Sequence, residues 1–270
     1  MSDHPAPVPI EALIDLSSYP LHDPGSVAYA SLVQRCRADL AADGMFNLDR
    51  LVTAHAIGIA LRSLRPLIDG HSFVHRRRHN IYFAAAVAGI DPTHPALALM
   101  ETTNRTVCAD QVPQSPVVSI YEHGGLRQLL ADVIGAEHLY LMDDPLARVN
   151  VMSYRHGEAL NWHFDRAEFT VTLLLQAPMS GGEFQYRRDL RAAGDPNHDG
   201  VARLLAGKDP EVITRVIMPG TLNVFRGIDT AHRVTPVEGD RDRVVAVYSY
   251  YDRPGVTFTD DERMGFYGRR

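Results

Sequence analysis

Cysteine is scarce in this chain. Cys36 and Cys108 are too few and too far apart for a disulfide framework or a zinc finger, and they read as buried thiols of a reducing compartment. Apolar runs of transmembrane length are missing, which excludes a spanning helix. The start, Met1 to Pro9, is polar and Pro-rich, without the basic opening or apolar centre of a signal peptide, so a cytoplasmic location is expected. Positive charge is not in excess: the net charge is −6, which argues against a broad nucleic-acid-binding face. Internal repeats are absent too, and no low-complexity tract follows the short leader. What remains is a globular composition, 45% hydrophobic and 22% charged over 270 residues. It suits one large domain, or a compact domain with a helical extension.

The first hundred residues read as mostly helical. Ser26 suits the N-cap of a helix running through Val27, Leu32, Cys36 and Leu40 to Gly44. Asn47 suits the cap of a second, carrying Leu48, Leu51, Ile57 and Leu61 as far as Pro66. A third spans Leu126 to Ile134 and stops at Gly135. From about Leu139 the pattern turns to strands: Leu146 to Tyr154, Phe169 to Gln176, Phe184 to Tyr186, Ile213 to Met218, Thr221 to Phe225 and Val244 to Tyr251. Between Arg187 and Pro210 a loop with a short helix near Val201 to Leu205 is expected. The expectation is an α+β protein with a mainly β core, a jelly-roll, cupin-like double-stranded β-helix over 139–270. Residues 1–138 would form a helical part buttressing it as one compact unit.

A histidine two residues before a carboxylate is weak evidence by itself. Thirteen His and 33 Asp and Glu residues produce about 1.6 such spacings by chance, and the chain has two. His156-Gly157-Glu158 flanks a turn with no apolar strand attached and reads as solvent-exposed. His163-Phe164-Asp165 leads directly into the apolar run from Phe169, and alternation along an extended segment points both side chains to one spot. His232, just past the turn-and-strand Pro219 to Phe225, can close a facial triad for Fe(II) that leaves three positions free for a cosubstrate and O2. Arg243 begins the apolar strand Val244 to Tyr250 and shares its phase with Val245, Val247 and Ser249. An inward guanidinium there grips a carboxylate such as that of 2-oxoglutarate with two parallel hydrogen bonds. Arg241 has the same parity but lies in the Gly239-Asp240 turn and reads first as a surface residue.

These blocks carry a resemblance. Tyr154-x-x-Gly157-x-x-Leu160-x-x-His163-x-Asp165, Gly181-Gly182-Glu183-Phe184, Pro219-Gly220-Thr221-Leu222 and His232-Arg233-Val234-x-Pro236-Val237 resemble the Fe(II)/2-oxoglutarate-dependent dioxygenases. Asn161 to Asp165 and Val171 to Gln176 look similar, more narrowly, to the standalone free-amino-acid hydroxylases related to the lysine radical halogenases. The resemblance implies Fe(II), 2-oxoglutarate and O2, with succinate formed as a C–H bond is oxidised. Tyr154 would hydrogen-bond the cosubstrate carboxylate, with a core tyrosine whose hydroxyl lies at the rim as the bland alternative. The halogenases carry a small residue where this chain has Asp165, so a hydroxylase rather than a halogenase is implied. The lysine-directed members surround the metal strand with polar and acidic groups; Leu160, Arg166, Val247 and Ser249 stand here instead, so a less basic amino acid or a derivative is expected.

Arg105, in the polar stretch Thr102 to Thr106, is a candidate for the substrate α-carboxylate, with a surface arginine as the bland alternative. His71, His75 and His79 bracket Arg76-Arg77-Arg78, and this stretch reads as solvated, with closure over an anionic substrate as the functional alternative. Phe266 and Tyr267 either fold over the pocket or simply pack. The rival functions are a prolyl-hydroxylase-like oxygenase acting on peptide or protein, and a non-catalytic β-helix module that binds a small acid.

Overall fold

A computed structural model describes residues 8–84 and 86–270; most of the polar leader, residues 1–7, lies outside them. The helix Val27–Asp43 begins where expected, with the Ser26 hydroxyl accepting from the Tyr29 N–H, and ends on Gly44 in the left-handed conformation. Gly124–Ile134 likewise ends on left-handed Gly135. The second helix is corrected. It runs Ala54–Gly70 under a Thr53 cap and continues through Pro66, because Ile57, Ala60, Leu64 and Ile68 bury one face and outweigh a single lost N–H. Asn47 caps nothing. It lies on the strand Met45–Leu48, where its side chain accepts from Asn223 Nδ2 at 2.7 Å.

The larger correction concerns the first 138 residues, which supply three strands to the main sheet as well as helices. All neighbours are antiparallel, in the order Met45–Leu48, Leu222–Phe225, Thr170–Gln176, Arg243–Tyr248, Val149–Tyr154, Met100–Cys108, Phe73–His79. A four-stranded sheet faces it, ordered Ile213–Arg215, Phe184–Arg187, Ala231–Val234, Leu160–His163. The pair forms the double-stranded β-helix. The expected excursion carries the helix His198–Leu205.

Alternation divides each strand of the large sheet between two environments. Val149 and Val151, Leu173 and Leu175, Val244 and Ala246 point outward and pack with Leu32, Leu64, Ile68 and Leu129 of the helices in the largest core cluster. Each fully buried aliphatic side chain contributes about 1.5–3 kcal/mol. Their neighbours Asn150 and Met152, Thr170 and Thr172, Arg243 and Val245 point inward to a cavity between the sheets. Cys36 and Cys108 are free, buried thiols. Among the described residues, no helix is long and apolar enough to cross a membrane.

Candidate metal and ligand site

His163 ends the strand Leu160–His163, directly across from His232 on Ala231–Val234. The register slips between this pair and the next, Val234 opposite Leu160. That irregularity lets Leu160 and His163, three residues apart, both reach the cavity while Trp162 between them packs behind the sheet. Asp165 follows the strand end, its N–H donating to Gly227 O at 3.0 Å. Its carboxylate lies 3.4 Å from His163 Nε2 and 3.3 Å from His232 Nε2. Neighbouring donors on a metal with bonds near 2.1 Å sit about 3 Å apart, so this spacing fits one ion held on one face.

The ring orientations support the same conclusion. His163 Nδ1 faces the Asn161 carbonyl at 2.8 Å and His232 Nδ1 faces the Thr230 carbonyl at 3.0 Å. Carbonyls only accept, so each Nδ1 carries hydrogen and each Nε2 is the ring nitrogen turned to the cavity. Burial lowers the His232 pKa, but the adjacent Asp165 carboxylate outweighs it and the net shift is upward. Thr170 Oγ1 donates to Asp165 Oδ2, fixing the carboxylate in place. Gly227 must be small: a Cβ there would lie 2.5 Å from Asp165 Oδ2. Burial alone would raise the Asp165 pKa, but His232 and His163 outweigh it and hold the carboxyl well below its usual range. Burial, reinforced by His232, pushes His163 down and keeps it neutral.

The remaining sequence candidates divide by position. Arg243 is 6% exposed, lines the cavity, and has no carboxylate within ion-pair reach among the described residues. Its guanidinium carbon lies 5.8 Å over the Tyr154 ring. An inward cation without a protein partner fits an anionic ligand. Burial pushes the Tyr154 hydroxyl up to about 12, so it stays a donor; its one contact is Met152 sulfur at 3.6 Å. Arg241 is on the surface, donating to the Pro178 carbonyl at 3.0 Å. Leu160, Val247 and Ser249 line the cavity, as does Arg166, which reaches across to Glu262 at 2.6 Å.

Arg105 is corrected. Asn104 and Thr106 face the cavity, so Arg105 between them faces the other way, where it is paired with Glu158. The Glu158 carboxylate, expected in solvent, is therefore a structural partner and also accepts the Arg155 N–H at 2.8 Å. The basic stretch is corrected too. It forms the edge strand Phe73–His79, and alternation sends His75 and Arg77 into the cavity. Reading His75-x-Arg77-x-His79 with period two rather than four would have found them. Phe258, Phe266 and Tyr267 roof the cavity, with Tyr267 OH donating to Asn150 Oδ1 at 2.8 Å.

Solved structures share this architecture. The non-heme α-ketoglutarate-dependent epimerase SnoN from nogalamycin biosynthesis is 15% identical with a TM-score of 0.57, over 83% of this chain and 82% of that one. AviO1 from Streptomyces viridochromogenes is 14% identical with a TM-score of 0.54, covering 83% and 96%. An oxidoreductase of the 2OG-Fe(II) oxygenase family from Burkholderia pseudomallei is 16% identical with a TM-score of 0.51, covering 83% and 92%. At these identities the likeness establishes the fold. No curated protein matches the chain. The family model described as Halogenase D matches residues 29–258, and the chain belongs to that family.

Proposed function

We propose that this chain is an Fe(II)/2-oxoglutarate-dependent oxygenase that hydroxylates an unactivated C–H bond of a small amino-acid-like molecule. The observation that carries it is the unpaired, buried Arg243 in one cavity with a two-histidine, one-carboxylate cluster. Bound Fe(II), with 2-oxoglutarate and O2, supplies the oxidant for C–H cleavage. The protein supplies the rest. His163, Asp165 and His232 would hold the metal, Arg243 and Tyr154 would hold the cosubstrate, and the roof would exclude water. Although the family is described by halogenation, Asp165 fills a metal position and favours oxygen transfer. Desaturation or ring closure would be the alternative outcomes of the same C–H cleavage.

A cavity of about 310 Å³ is at the small end for a ligand site, and its aromatic roof favours a small molecule over a peptide. The prolyl-hydroxylase-like alternative needs an open groove instead. The non-catalytic alternative gives no reason to retain both histidines, Asp165 and Arg243 together. The test is anaerobic Fe(II) binding followed by succinate measurement. Succinate forms only with Fe(II), 2-oxoglutarate and O2 all present, and His163→Ala abolishes it. Succinate from His163→Ala would refute the site. Mass spectrometry of candidate substrates then reads gain of one oxygen or loss of two hydrogens.

A further inference from the structure

Three guanidinium groups reach the cavity, and each has a different environment. Arg243 serves the cosubstrate end. Arg166 is neutralised by Glu262. Arg77 has no carboxylate within ion-pair distance among the described residues. Its guanidinium carbon lies 4.8 Å over the Phe83 ring, and Phe83 meets His163 edge-on at 5.6 Å. That sequence of contacts sets the Arg77 charge one ring away from the His163, Asp165 and His232 cluster. Its neighbour Arg76 faces outward and pairs with Glu101 at 3.1 Å.

The anionic side of the inventory is nearly empty. Among the described residues, Asp165 is the one carboxylate lining the cavity, and the metal takes it. Two of the neutral polar groups there are engaged with each other or with the roof: Asn104 Nδ2 donates to Thr106 Oγ1 at 3.0 Å, and Asn150 Oδ1 accepts from Tyr267. Burial and the nearby Arg77 push His75 down, so it adds no cation. The cavity therefore offers a substrate one uncompensated positive charge. A zwitterionic amino acid would bring an ammonium with no carboxylate left to meet it among the described lining residues, and a buried unpaired charge is costly.

We propose that the substrate is a monoanion: a carboxylate held by Arg77, whose nitrogen is acylated or absent rather than a free ammonium. This rests on the oxygenase reading and narrows it. The substrate's hydrocarbon or acyl portion meets the apolar roof, where Phe258 and Phe266 stack at 5.5 Å.

The experiment is anaerobic calorimetry on protein loaded with Fe(II) and 2-oxoglutarate. The titrants are the common L-amino acids, their N-acetyl derivatives, the corresponding deaminated acids and the decarboxylated amines. At least one N-acetyl or deaminated acid binds about tenfold or more tightly than its free amino acid, and its amine does not bind. Arg77→Leu weakens that ligand by about tenfold or more, and Arg77→Lys, which keeps charge but not the fork, falls between. Arg76→Leu binds as wild type. Tighter binding of the free amino acids, no binding by either acid series, or wild-type affinity in Arg77→Leu overturns the proposal. Succinate formed without any of these compounds tests the oxygenase reading separately. Its presence alongside a failed titration sinks only the substrate assignment.

Discussion

The two faces of the seven-stranded sheet are made from the same strands, yet they answer to different demands. Outward residues such as Leu173, Val244 and Ala246 pack against helices. Inward residues such as Thr172, Arg243 and Val245 are left facing a cavity. Two arginines make the contrast concrete. Arg105 is on the outward face with Glu158 as its partner, and Arg243 is on the inward face with none among the described residues. Both sit in strands and both are largely buried. The partner, not the burial, separates a structural arginine from one free to take a ligand.

Variants on the two faces should therefore fail differently. Leu173→Ala, at a fully buried outward position, is expected to cost about 2–5 kcal/mol in denaturant unfolding. The fraction that remains folded should bind 2-oxoglutarate normally. Arg243→Leu should do the reverse. Its affinity for 2-oxoglutarate, measured by anaerobic titration, should fall on the order of a hundredfold, while the melting temperature holds or rises because an unpaired buried charge is gone. Arg241→Leu should change neither quantity. A large melting loss in Arg243→Leu would erase the distinction between the faces.

The outward arginine gives a smaller, structural effect. Arg105→Leu strands the Glu158 carboxylate, and a loss of about 1–3 kcal/mol in unfolding free energy is expected. Replacing both partners with leucine should recover most of it. A rise in the half-saturating substrate concentration, with unchanged stability, would return Arg105 to the active site.

Much of this division was legible in the sequence, and where it was not the cause is periodicity. His163, Asp165, His232 and Arg243 could be read because each adjoins an apolar strand that fixes its phase. The cavity-facing set Arg243, Val245, Val247 and Ser249 followed from counting by two. The same count, applied to Thr102–Thr106, places Arg105 opposite Asn104 and Thr106. A run of polar residues hides that alternation, because neither face looks apolar. The strands Met45–Leu48 and Phe73–His79 were hidden for similar reasons. The first is too short to show a period. The second is an edge strand rich in Arg and His, whose spacing also fits a helix. The Arg105–Glu158 pair spans fifty-three residues of sequence, so no local pattern could announce it.

Support behind the metal should give an intermediate functional effect. Thr170 begins a strand and turns its hydroxyl to Asp165 Oδ2. Thr170→Val retains the shape but removes the donor, and Fe(II) affinity should fall about tenfold. Thr170→Ser should restore it. Equal stability of all three proteins would confine the effect to carboxylate orientation, and unchanged Fe(II) affinity in Thr170→Val would refute that role.

The smallest effect is confined to acid and concerns the roof of the inward face. Asp144 is fully buried; it accepts from the N–H groups of Leu146, Ala147 and Phe258 and pairs with Arg263 of the helix Asp260–Tyr267. Burial alone would raise its pKa, but Arg263 and the backbone donors outweigh that and the net shift is downward from the ordinary aspartate value. A carboxyl depressed in the folded state stabilises it fully above the unfolded value, and that contribution disappears as pH falls through the lower, folded value. The roof helix should therefore loosen before the outward core unfolds, seen as earlier hydrogen exchange at Phe258–Tyr267 than at Val171–Leu175 as the pH falls below the ordinary aspartate range. Asp144→Asn should show that loosening already at neutral pH, with little further dependence on acid. Simultaneous exchange of both segments in wild type would mean that the two faces open as one unit, and the contrast between them would stop at chemistry.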